Sequence, residues 1–96
     1  MGSTGFAKSL SGREPPAGMA APLAALWWIK KGDWTRAHAI VMDDDSLEAA
    51  WVHAHLHRIE GDVANAGYWY SQALRTAPGG TIDAEWISIL EVLLAE

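Results

Sequence analysis

No cysteine occurs among the 96 residues. That excludes disulfides, thiolate metal ligands and cysteine nucleophiles, and it agrees with a reducing compartment. Basic residues are scarce: seven Lys and Arg are scattered along a chain of formal charge −5. A surface that tracks phosphates needs clustered cations, so nucleic acid is not an expected partner. Long hydrophobic runs are missing too. The longest, 20–29, contains Pro22 and is far shorter than the roughly 20 apolar residues of a membrane span. Neither a membrane nor a secretory signal is indicated, and a cytoplasmic chain is the expectation. There is no Gly-rich phosphate loop, and no serine stands in a nucleophile-elbow context. No cofactor and no catalytic set is therefore expected.

What the chain does have is apolar mass in an unusual form. Half the residues are hydrophobic, and six tryptophans stand against one phenylalanine. Each indole adds apolar area and one N–H that needs a partner. The length suits one small domain. Residues 1–18 are rich in Gly, Ser and Pro without an apolar period, and read as a disordered N-terminal arm or an expression-derived extension. A helical domain over 19–96 follows. Pro22 suits a first helical turn, and Lys30 and Lys31 suit its end. Asp33 caps a second helix over 34–42, and Asp45 with Glu48 resembles a capping box for a third that runs to Glu60. Asp62 caps a fourth, closed by Pro78, whose buried stripe is Val63, Ala66, Gly67, Tyr70, Ala73 and Leu74. Thr81 opens a fifth.

Two segments repeat. KKGDWTRAHAIV (30–41) and IEGDVANAGYWY (59–70) both place Gly-Asp at a turn and Ala further on. Gly takes the left-handed conformation, Asp caps the next helix, and Ala lets two helices approach. Residues Ala25, Gly32, Asp33 and Ala37, then Ala54, Gly61, Asp62, Ala66, Tyr70, Ala73 and Pro78, resemble the signature of the tetratricopeptide repeat. The second unit spans 47–80. It departs from the family where Ala50 and His53 replace the early Trp and Leu, and His57 replaces a Tyr. The resemblance implies an all-α fold: a stack of two antiparallel helical hairpins plus a C-terminal capping helix. It also implies a concave groove on the first helices of the hairpins, lined by Leu26, Ile29 and Lys30, by Trp51, His55, Arg58 and Ile59, and by Ile82, Glu85, Ile89, Val92 and Leu93. The leading expectation is thus a non-enzymatic module that binds a peptide or protein partner in this groove. The alternative occupants are the chain's own N-terminal arm or a second copy in a homodimer.

Three histidines alternate at 53, 55 and 57, but helical geometry divides them. His53 and His57 share a face, and His55 points away. The pair faces the hairpin interior, where hydrogen bonds to Tyr, Trp or Asn65 are the simpler expectation. The alternative is a metal or ligand site, with His38, Glu60 or Asp62 as third ligand. Trp69 is expected to pack on the fifth helix or to stand as an exposed anchor.

Overall fold

Gly32 and Gly61 adopt left-handed backbone, with φ of +85° and +82°, and the chain reverses at each. The bonding is the same in both turns. The Gly N–H donates to the carbonyl three residues back, and the following Asp N–H donates to the carbonyl five back (Trp28 and His57 respectively). That is a Schellman closure, which satisfies carbonyls that a helix end otherwise leaves unpaired. Asp33 and Asp62 then accept from the N–H groups of Arg36 and Asn65, so one Gly-Asp pair ends a helix and starts the next.

The computed structural model describes all residues, Met1–Glu96, as six helices without a strand. They are α1 (Ser3–Ser9), α2 (Ala21–Lys30), α3 (Trp34–Met42), α4 (Leu47–Ile59), α5 (Val63–Gln72) and α6 (Ile82–Ala95). The two Gly-Asp turns join α2 to α3 and α4 to α5, and each joined pair packs together. Ala25, Ala37, Ala54, Ala66 and Ala73 are all buried, where small side chains allow helices to approach. No helix is long and apolar enough to cross a membrane.

Four features differ from the sequence expectations. First, residues 3–9 form a helix where a disordered arm was expected over 1–18. Phe6 is its anchor: it is buried, with its ring 5.9 Å from that of Trp86. Ser9 Oγ accepts from the Trp27 indole N–H at 3.1 Å, so the arm supplies a partner that a buried indole needs. Second, α4 is capped by Ser46, not Asp45; the Ser46 hydroxyl accepts from Ala49 N–H. Third, α5 stops at Gln72, well before Pro78. Leu74 takes left-handed backbone (φ 59°) and closes the end with the same two-bond pattern as the glycines. Val63, Gly67 and Leu74 of the expected stripe lie on the surface, whereas Ala66, Tyr70 and Ala73 are buried. Fourth, α6 does not simply extend the row of helices. It packs across both α2 and α4.

Candidate metal centre

The position of α6 decides the fate of the expected groove. Leu26, His55 and Ile89 have no exposed surface, and Glu85 is buried with them. Trp86 donates its indole N–H to Leu26 O, which ties α6 to α2. Trp51 is buried beneath the Arg75 guanidinium, 3.5 Å from its ring centroid. Lys30 sits over Trp86, while Ile59 and Ile82 remain on the rim. The open groove is thus corrected to a helix–helix interface at its centre: Leu26, Ile89 and Leu93 are buried where α6 packs on α2 and α4, while Ile59, Ile82 and Val92 stay partly exposed. What remains is a cleft of about 380 Å³ between Trp51, Arg75, Pro78 and Ser88.

His55 belongs to that interface. Its Nδ1 lies 2.6 Å from Glu85 Oε1, and its Nε2 is buried without a partner. Glu85 also accepts from the Tyr70 hydroxyl and from Arg58 Nη1. Arg58 further donates to the carbonyls of Gly80 and Thr81, which fastens the start of α6 to α4. Burial alone would raise the Glu85 carboxyl, but the bonds from His55, Tyr70 and Arg58 hold it below its ordinary value. The Tyr70 hydroxyl is raised, by burial first and then by its bond to Glu85.

The other two histidines of α4 face the opposite way, as their spacing of four requires. Both are buried, and His38 comes to them from α3, itself half-buried. The Nε2 atoms of His53 and His38 are 3.1 Å apart. One ligating nitrogen from each of His38, His53 and His57 lies within 4.8 Å of the others. The rings are held by their neighbours. Trp34 donates its indole N–H to Leu56 O and stacks on His38 at 10° and 4.8 Å. Trp69, expected on the last helix or in solvent, stacks on His53 at 12° and 3.9 Å. His57 Nδ1 is 2.5 Å from Glu60 Oε1. The Asn65 amide nitrogen stands 3.4 Å from its Nε2, so that part of the expected hairpin bonding is present. The indoles cover ring faces and leave ring edges for coordination.

Burial lowers His53 to about 4, with the positive charge of protonated His38 and His57 adding to it. His38 is lowered as well, by burial and then by His57, against a raising effect of Glu60. Neutral imidazoles are the metal-binding form. Two imidazole nitrogens held about 2.05 Å from one ion at near-tetrahedral angles lie roughly 3.3 Å apart, close to the spacing of His38 and His53. A mutual hydrogen bond between His38 and His53 gives a similar spacing, with His57 held separately by Glu60.

His53 and His57 were legible as a pair from their spacing, with His38 among three candidate partners. The Glu85 contact to His55 spans 30 residues, and no local pattern signals it. No family model, characterised protein or solved structure compared with this chain gives a match.

Proposed function

We propose that this chain is a metal-ion-binding protein. Its scaffold is two tetratricopeptide-like hairpins, and it holds one first-row transition ion of the zinc, nickel or copper class between His38, His53 and His57. The observation that carries this reading is the convergence of three imidazoles from two helices, two of them with Nε2 atoms 3.1 Å apart. Imidazole donors suit these ions, whereas magnesium and calcium require oxygen ligands. Three protein ligands leave a further coordination position for water or a small ligand. The half-buried His38 is the side from which that position meets solvent. A peptide partner in the expected groove would require α6 to leave α2 and α4, so the histidine centre is the better-supported site.

Chelator-stripped protein should take up one zinc per chain in equilibrium dialysis read by elemental analysis. His53→Ala and His38→Ala should each lose it. No uptake by the wild-type chain, or wild-type uptake by both variants, would overturn the proposal.

A further inference from the structure

We infer that Glu60 is the positioning residue of this centre: it holds the proton of His57 on Nδ1, so that the Nε2 lone pair is free for the ion. The inference rests on the metal reading above, but its own basis is the geometry of one turn.

Glu60 is the C-cap of α4, where its N–H donates to Leu56 O and fixes its backbone. Gly61 follows in the left-handed conformation and closes the turn. The side chain reaches back over one turn to His57, three residues earlier, at 2.5 Å. A carboxylate offers only acceptors, so the nitrogen facing it carries the hydrogen. The other nitrogen is then a lone pair. The Asn65 amide nitrogen, which can only donate, stands 3.4 Å from that Nε2 and 3.5 Å from Nδ1; the contact is long, and an ion would replace it.

The first hairpin supplies an internal control. Lys31 stands before Gly32 as Glu60 stands before Gly61, and three residues before each are Trp28 and His57. Both turns have the same backbone bonds and the same Asp cap. Helix C-termini favour cations, so Lys31 is the residue that the dipole selects, and it donates from Nζ to Leu10 O. Glu60 places negative charge at the unfavoured end of a helix. Charge reversal at this one position accompanies the histidine, and turn geometry does not require it. Three neutral imidazoles also leave the full charge of a divalent ion uncompensated. Glu60 supplies one negative charge through His57, the carboxylate–histidine–metal relay by which outer groups orient a ligand and raise its basicity.

The test has a metal-free arm and a zinc arm. In long-range ¹H–¹⁵N spectra of the metal-free protein, His57 should be the Nδ1–H tautomer, and Glu60→Ala should move it toward Nε2–H. In competition with a chelating dye, Glu60→Ala should weaken zinc binding by about 10–100-fold. Glu60→Gln keeps an accepting oxygen and should recover much of that loss. Circular dichroism should be the same for all three chains. An Nε2–H tautomer in the wild-type chain overturns the inference, as does a Glu60→Ala affinity within about twofold of wild type. His57, Glu60 and Asp62 also bring ligand atoms within 4.8 Å of one another. A second zinc per chain that is lost in Asp62→Asn would make Glu60 a direct ligand and overturn its positioning role. A wild-type chain with the expected tautomer that takes no zinc instead overturns the metal reading beneath it.

Discussion

Helix α4 carries histidines of two kinds, two residues apart. His55 faces α6, is sealed from solvent, and meets a carboxylate that also accepts from Tyr70 and Arg58. His53 faces α3 and α5, is also buried, and meets another imidazole and the face of an indole. Burial alone therefore does not define the role of a histidine; its partner does. Bonded to a carboxylate of another helix that Tyr70 and Arg58 also share, His55 joins a network across a helix interface. Beside other imidazoles, His53 shares its Nε2 with His38, and on the reading proposed above that cluster holds an ion. The one buried ring nitrogen without a partner is instead His55 Nε2.

The largest expected effect breaks the first arrangement. Glu85→Ala leaves His55 buried without its partner and releases Arg58 and Tyr70. Removing one partner from such a buried network costs about 3–5 kcal/mol. Urea unfolding should show that loss, and zinc affinity of the folded fraction should be unchanged. A parallel loss of zinc binding would mean that the two histidine groups are one site.

Acidification separates the groups by pH. The unfolded chain protonates a histidine near 6.5, but folded His53 does so only near 4. Between those values the unfolded state binds more protons, so stability of the metal-free protein falls as pH drops from about 6.5 to about 4. Glu85 is held below its ordinary value in the fold, so its stabilising effect is lost as pH falls from the ordinary carboxylate range through that lowered value. Urea midpoints should decline across this range, and His53→Ala should shrink that decline while leaving the parts that come from His38 and Glu85.

A smaller effect on stability is expected from His53→Ala at neutral pH. The variant loses a ring stacked on Trp69 but no ion pair, at a cost on the order of 1 kcal/mol in urea unfolding. Smallest is a change in the turn after α5. Leu74 is exposed and left-handed, a conformation that disfavours any side chain. Leu74→Gly should raise the urea midpoint by an amount worth about 0.5–1 kcal/mol and leave zinc uptake as it was. A decrease would show that the turn after α5 draws on a contact of the leucine side chain.

The elements that the sequence made legible are those set by local chemistry. Gly32-Asp33 and Gly61-Asp62 announce their turns because a left-handed residue and a helix cap have few substitutes. The spacing of four placed His53 and His57 on one face for the same reason. Elements set by long-range packing were not legible. Helix α6 has an apolar face that suits the end of a stack as well as the layer over α2 and α4, and nothing local distinguishes the two. The groove reading depended on that choice. Phe6 and Leu10 are the only large apolar side chains between residues 2 and 18, too few to signal a helix, and α1 is held by Trp86 and Trp27 far along the chain. The partner of His55 lies 30 residues away for the same reason.

X-ray absorption at the zinc edge of the loaded protein tests the three-histidine centre most directly. The expected spectrum is a shell of nitrogen and oxygen at about 2.0–2.1 Å with the multiple scattering of three imidazoles, reduced in His53→Ala. A shell without imidazole scattering, or one unchanged in His53→Ala, would contradict it.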